Sequence, residues 1–98
     1  MEDKVFSHGE LTAIIQPLLE KYRMNAAYLF GSYARNDARP ESDIDVLVDG
    51  GPSVKPLSVY ALGEELRDVT GKDVDVFEMS ELEGGPFKSR ALGEAIAL

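Results

Sequence analysis

Four aspartates are spaced in a pattern that brings carboxylates together on predicted strands. Asp43 and Asp45 begin the run DIDVLV, and Asp73 and Asp75 alternate with apolar residues in the run DVDVF. Because successive side chains of a strand point to opposite faces, the two aspartates of each run share one face. Carboxylates held this close repel each other unless a cation offsets their charge. The pattern predicts a divalent-cation site, with Asp75 or Asp73 as the third carboxylate.

A glycine-serine turn precedes these aspartates. Gly31 and Ser32 follow the apolar run AAYLF, so backbone N–H groups and the Ser32 hydroxyl are expected to meet an anion such as a triphosphate. Glycine permits both a positive φ and a close approach of phosphate. Three carboxylates can hold two hard cations roughly 4 Å apart, which clamp the attacking and leaving oxygens of an in-line phosphoryl displacement. Together these residues predict phosphate-transfer chemistry.

Other polar side chains near this turn have two interpretations each. Arg35 is expected either to contact a phosphate or to pair with a carboxylate. Ser42 either binds nucleotide or metal-linked water, or makes a local backbone hydrogen bond. Tyr33 is a candidate for stacking on a base. His8 is the only histidine, and its isolation favours a surface position.

The elements that position these residues follow from apolar periodicity and from helix-end signals. Ser7 and Glu10 have the spacing of a capping box, and the amphipathic helix that follows contains Pro17, which predicts a kink or a break. The remaining predicted elements are strands at 26–30, 43–48 and 73–77, a short helix at 32–35, a turn at 84–86 and a last short helix at 87–98. A longer helix is predicted from Pro56 to Gly71, with Val59, Leu62, Leu66 and Val69 on its apolar face. This order predicts an α/β fold with helices packed on a small mixed sheet.

Composition limits the protein class and its partners. The 98 residues, 44% of them hydrophobic, are expected to form a single domain at 1–98. A net charge of −8 argues against binding to nucleic acid or anionic membranes. Cysteine is absent, which excludes disulfides and a cysteine nucleophile. No run approaches the roughly 20 apolar residues of a membrane helix, so a cytoplasmic protein is expected.

The spacing of the glycine turn and the first aspartates resembles a known family signature. Gly31-Ser32, ten intervening residues and Asp43-x-Asp45 resemble the DNA polymerase β-like nucleotidyltransferase superfamily. The segment GSYARNDARPESDIDVLVD resembles more narrowly the minimal nucleotidyltransferases (MNT) of prokaryotes, which usually carry glycine where this chain has Asn36. The resemblance implies that Asp43 and Asp45 bind two Mg²⁺ ions, or Mn²⁺ in their place. It also implies that Asp75 is the third carboxylate and helps to deprotonate the acceptor hydroxyl.

The same resemblance implies a partner protein. Only 23 residues follow Asp75, which leaves no room for an acceptor-binding domain, so a second copy or a different protein is expected to complete the site. Minimal nucleotidyltransferases are commonly antitoxins paired with small helical HEPN toxins, and the implied reaction transfers AMP from ATP to a tyrosine hydroxyl of the toxin. Two alternatives are a nucleotide-binding module that neutralises its partner by masking it, and a small-molecule nucleotidyltransferase.

Overall fold

Helices and strands alternate along the chain. The computed structural model describes residues 4–81 and 93–98. Its elements are α1 (His8–Lys21), β1 (Ala26–Phe30), α2 (Gly31–Ala34), β2 (Ile44–Asp49), α3 (Pro56–Thr70), β3 (Val74–Glu78), a 3-10 helix (Met79–Glu81) and β4 (Ile96–Ala97). Up to β3 this order confirms the elements predicted from the sequence.

The start of α1 is closed by the predicted capping box. Ser7 Oγ accepts a 3.0 Å hydrogen bond from Glu10 N, and Ser7 N donates one of 2.8 Å to Glu10 Oε1. These bonds satisfy donors that the first helical turn cannot pair internally, and a serine cap contributes about 1 kcal/mol. Pro17 lies within α1, which continues as one helix. Of the two predicted outcomes at Pro17, the break does not occur.

The described strands form one mixed sheet in the order β3-β2-β1-β4. β1 pairs antiparallel with β2 and with β4, whereas β2 and β3 are parallel. A parallel pair needs a long crossover connection, which α3 supplies. This helix has Pro56 in its first turn and ends at Gly71, whose φ of 70° is left-handed, as the sequence predicts. The predicted α/β class with a small mixed sheet is confirmed.

The two faces of the sheet carry different side chains. One face packs against α1 and α3 in a core that includes Leu11, Ile15, Leu18, Ala27, Leu29, Ile44, Val46, Val48, Leu62, Leu66 and Val74. The other face carries Phe30 and Leu47, with Tyr28, Phe77 and Met79 packed around them. Since strand side chains alternate, Asp45 and Asp75 lie on this second face, away from α1 and α3.

The predicted apolar face of α3 is wrong at one position. Leu62, Leu66 and Thr70 form its buried stripe at intervals of four residues, whereas Val69 is 57% exposed. Val69 lies beside this stripe in the last turn, and its side chain faces away from the core that buries Leu66 and Thr70. None of the helices in the described stretches combines the length and the apolar character that a membrane crossing requires.

The end of the chain also differs from its prediction. The sequence predicts a helix up to Leu98, but Ile96–Ala97 forms β4, and Leu98 N donates a 2.9 Å hydrogen bond to Ala27 O. This pairing satisfies backbone groups of β1 that a helix would leave as an open sheet edge. Gly93 and Glu94 are helical. The predicted turn at 84–86 and the first part of the predicted helix lie outside the described residues.

Candidate active site

Asp45 and Asp75 lie side by side on neighbouring strands. β2 and β3 are parallel, with Asp45 in register with Asp75, and both side chains are on the face opposite the helices. β2 and β3 each begin one residue later than predicted, so Asp43 and Asp73 directly precede them. The structure therefore brings Asp45 and Asp75 together, with Asp43 and Asp73 at the same end of the sheet.

The electrostatic environment of Asp45 reflects this crowding. Burial is the largest cause that raises the pKa of Asp45 from 3.8 to about 6, and the charges of Asp75 and Asp43 add to it. The positive charge of Arg35 acts in the opposite direction. Because the ionised form of Asp45 is disfavoured, a cation at this position would lower the free energy of the site. The negative charges of Asp43 and Asp75 therefore act on Asp45.

The donor set matches a hard divalent cation in its chemistry. Carboxylate oxygens are the ligands that Mg²⁺ and Mn²⁺ prefer, and the repulsion felt by Asp45 is what a cation relieves. Within residues 4–81 and 93–98, no three acidic or histidine side chains meet the geometry of a metal site. The carboxylates therefore share one face and one end of the sheet without forming a preassembled cage.

Gly31 is the residue through which the turn approaches these carboxylates. Its φ is +72°, and Phe30 pairs with Asp45 across β1 and β2. A Cβ atom built on Gly31 would lie 2.5 Å from Asp45 Oδ2, which is closer than the contacts that Cβ atoms make in proteins. Both the backbone conformation and the space therefore require glycine. Ser32, the next residue, is half-buried in α2, and its carbonyl accepts a 3.0 Å hydrogen bond from Asp37 N.

The turn after α2 is built with a left-handed asparagine. Asn36 has φ +62°, and its N–H donates to Tyr33 O at 3.4 Å. Asparagine adopts this region more readily than other residues with a side chain. The position at which the family usually has glycine therefore keeps a glycine-like backbone in this chain.

Arg35 and Ser42 both make protein contacts that correspond to one of their two interpretations. Arg35 Nη1 lies 3.1 Å from Glu94 Oε2 and Nε lies 3.4 Å from Asp37 Oδ2; these carboxylates, Glu94 first, raise the pKa of Arg35. Ser42 Oγ accepts a 2.8 Å hydrogen bond from Arg39 N, and Ser42 N donates one of 2.9 Å to Arg39 O. Arg35 is thus ion-paired, and Ser42 makes local backbone bonds.

Two residues near the turn differ from expectation. Tyr33 is only 2% exposed, so stacking of its ring on a nucleotide base is wrong. His8 is not an isolated surface residue, because its Nε2 lies 2.5 Å from Tyr33 O and ties the start of α1 to α2. No local sequence signal indicates the contact between His8 and Tyr33, since 25 positions separate these residues.

Lys72 is a residue near the site that the sequence patterns did not single out. Its side chain is 8% exposed, and its Nζ donates a 2.8 Å hydrogen bond to Pro40 O in the loop before Asp43. A sequence signal for Lys72 was available in its position. It lies between Gly71, which ends α3, and β3, so it adjoins the strand that carries Asp75.

The sequence matches the family described as "Polymerase beta, Nucleotidyltransferase" over residues 13–98. The chain therefore belongs to this family, and it is a nucleotidyltransferase. Protein MJ0435 of Methanocaldococcus jannaschii, assigned as a protein adenylyltransferase, is 40% identical over 88 residues, which cover 90% of this chain and 94% of that protein. The protein adenylyltransferase MntA of Thermococcus cleftensis is 35% identical over 79 residues, covering 81% of this chain and 80% of MntA.

Solved structures show the same fold. A structure assigned as a minimal nucleotidyltransferase is 28% identical with a TM-score of 0.76, covering 95% of this chain and 97% of the other. A complex of a tri-AMPylated HEPN toxin of Shewanella oneidensis with an MNT antitoxin contains a chain that is 21% identical with a TM-score of 0.62. That match covers 85% of this chain and 64% of the other. Both similarities place the mixed sheet and its helices in the nucleotidyltransferase fold.

Proposed function

We propose that this nucleotidyltransferase transfers AMP from ATP to a hydroxyl group of a partner protein, with Mg²⁺ as its cofactor. The observation that carries the proposal is the register of Asp45 with Asp75, beside a turn where Gly31 is closely packed against Asp45. The names of the relatives, which are protein adenylyltransferases, support the choice of substrate class.

The proposed reaction is an in-line displacement at the α-phosphorus of ATP. The acceptor oxygen forms a bond to this phosphorus, and the bond to the bridging oxygen of the β-phosphate breaks, so pyrophosphate leaves. Asp75 accepts the proton of the acceptor hydroxyl, and backbone N–H groups at Gly31 with the Ser32 hydroxyl bind the triphosphate. Arg35 contacts the nucleotide only if a phosphate replaces Glu94 or Asp37 as its partner.

The carboxylates Asp43, Asp45 and Asp75 are the proposed ligands of the cofactor. Two Mg²⁺ ions, or Mn²⁺ ions, would supply charge neutralisation and orient the attacking and leaving oxygens. The raised pKa of Asp45 supports this assignment, because the crowded carboxylates are stabilised by positive charge. Ser42, which is half-buried one residue before Asp43, supports the loop through its bonds to Arg39.

The proposed partner is a small helical toxin of the HEPN type, which makes this chain its antitoxin. The proposal is supported by the fold shared with a chain of the complex between an AMPylated HEPN toxin of Shewanella oneidensis and an MNT antitoxin. The acceptor in this proposal is a tyrosine hydroxyl of the toxin. In this proposal the partner, or in its place a second copy of this chain, presents the acceptor hydroxyl to the carboxylate face.

Labelled ATP tests this function. The chain is incubated with Mg²⁺, ATP and the product of a neighbouring gene for a helical protein, in parallel with label on the α-phosphate and on the γ-phosphate. We expect the partner to acquire the α-label and not the γ-label. Transfer of the γ-label would make the reaction a phosphorylation, and no label on the partner would contradict protein modification.

Masking of the partner is the second candidate function. It is favoured by the absence, within the described residues, of a preassembled three-carboxylate cage and by the pairing of Arg35 with Glu94. The double variant Asp43→Asn/Asp45→Asn separates the two functions in cells that express the toxin. Loss of neutralisation is expected if transfer is required, whereas full neutralisation by the double variant would show that masking is sufficient.

A further inference from the structure

The loop before Asp43 determines where one of the three carboxylates lies. Asp45 is held inside β2 by neighbours on both sides, because β1 and β3 pair with that strand. Asp43 precedes the first residue of β2, and its position follows the path of the loop at 37–42. A carboxylate at the end of a loop needs some other contact to fix its position.

Lys72 supplies a contact between this loop and the strand that carries Asp75. Its Nζ donates a 2.8 Å hydrogen bond to Pro40 O, 32 positions away in the sequence. The bonds between Ser42 and Arg39 shape the loop, but they lie within it and cannot attach it to the sheet. Next to Lys72, Asp73 O accepts a 3.0 Å hydrogen bond from Ile44 N. The lysine thus extends the β2–β3 pairing into the loop.

The burial of Lys72 argues that its ammonium group has a specific role. The side chain is 8% exposed, and placing an ammonium group away from water is unfavourable unless hydrogen bonds compensate. An apolar side chain of similar length would fill the same space without that cost. Lys72 also lines a cavity of about 220 Å³ together with Ser42, Asp43 and Asp73. The buried donor therefore lies at the end of the sheet where the carboxylates are placed.

We propose that Lys72 is a positioning residue that holds the loop before Asp43 in place for metal binding. This inference rests on the proposed function, in which Asp43 is a metal ligand. The hydrogen bond to Pro40 O restricts the loop and, through it, the Asp43 carboxylate. Residues that orient metal ligands typically change metal affinity by about 10- to 100-fold when they are replaced. Loss of the ammonium group is expected to weaken metal binding by at least about tenfold.

The absence of cysteine from the chain permits a matched chemical test. Lys72→Cys is alkylated in denaturant, either with 2-bromoethylamine, which restores an ammonium group at nearly the native length, or with 1-bromopropane, which gives a neutral side chain of the same length. After refolding, binding of Mn²⁺ alone is measured by electron paramagnetic resonance. Lys21→Cys, treated identically, is the control, because Lys21 pairs with Glu65 between α1 and α3, on the face of the sheet opposite Asp45 and Asp75. Its two adducts should therefore bind Mn²⁺ equally.

The ammonium adduct at position 72 is expected to bind Mn²⁺ like the wild type, and the propyl adduct at least about tenfold more weakly. In an Asp43→Asn background the two adducts should not differ, because the ligand that Lys72 positions is gone. Equal Mn²⁺ binding by the two adducts in the wild-type background would overturn the inference, and a propyl adduct that cannot refold would show a folding role instead. Wild-type protein that binds no Mn²⁺ would overturn the proposed function together with this inference.

Discussion

Gly31→Ala tests whether the close packing of the turn against Asp45 matters for catalysis. Alanine at φ +72° costs about 1–2 kcal/mol of backbone strain. Its Cβ would lie 2.5 Å from Asp45 Oδ2, so the carboxylate must move by roughly 0.5–1 Å to reach an ordinary contact distance. A displacement of about 1 Å near reacting groups costs on the order of 100-fold in rate. We expect a comparable loss of AMP transfer.

Gly51→Ala is the matched control for this substitution. Gly51 also has a positive φ, +76°, but it follows the opposite end of β2, and its Cβ would meet only the Asn25 side-chain amide, at 3.1 Å. Strain of about 1–2 kcal/mol lowers the melting temperature by roughly 5–15 °C in a domain of this size. Melting curves should show this loss for both variants, whereas transfer should fall only for Gly31→Ala. Wild-type transfer by Gly31→Ala would refute the proposed role of the close contact.

Three further predictions address the carboxylates and the fold. Asp45 should contribute a fall of up to about 3 kcal/mol to the free energy of unfolding of the metal-free protein as the pH rises from about 4 to above 6, because the folded state favours protonated Asp45. Urea titrations should show this contribution as a difference between the wild type and Asp45→Asn, and solvent screening reduces its size. Asp45→Asn should flatten this dependence. Asp75→Asn should leave the metal-free protein no less stable. It should reduce the rise in melting temperature that Mg²⁺ and ATP together give beyond either alone. If Asp73→Asn abolishes this extra rise and Asp75→Asn does not, Asp73 is the third carboxylate. Ser7→Ala should lower the free energy of unfolding by about 1 kcal/mol in urea titrations, since it removes the hydrogen bond that Ser7 Oγ accepts from Glu10 N at the start of α1.

The elements with strong local signals could be predicted from the sequence. The capping box at Ser7, the first-turn proline at Pro56 and the left-handed glycine at Gly71 each act within a few residues, and the helices begin and end close to them. Strand alternation likewise put Asp45 and Asp75 on the correct face of the sheet. Local physics therefore accounts for the existence and approximate bounds of these elements.

The contacts that depend on strand pairing could not be predicted in this way. Alternation allowed either Asp73 or Asp75 to accompany Asp45, and only the parallel register of β2 and β3 pairs Asp45 with Asp75. The bond from Lys72 to Pro40 and the pairing of β4 with β1 join segments far apart in the sequence. Two residues of strand at Ile96–Ala97 are too short to show a period, so their partner decides their conformation.

The most direct measurement of the central claim is the intact mass of the partner protein after co-expression with this chain. With the wild type, the partner should gain the mass of one or more AMP groups, and fragmentation should locate them on tyrosine. With Asp43→Asn/Asp45→Asn the partner should keep its unmodified mass while the double variant remains folded. An unmodified partner in the presence of the wild type, or equal modification in the presence of the double variant, would contradict AMP transfer by this carboxylate site.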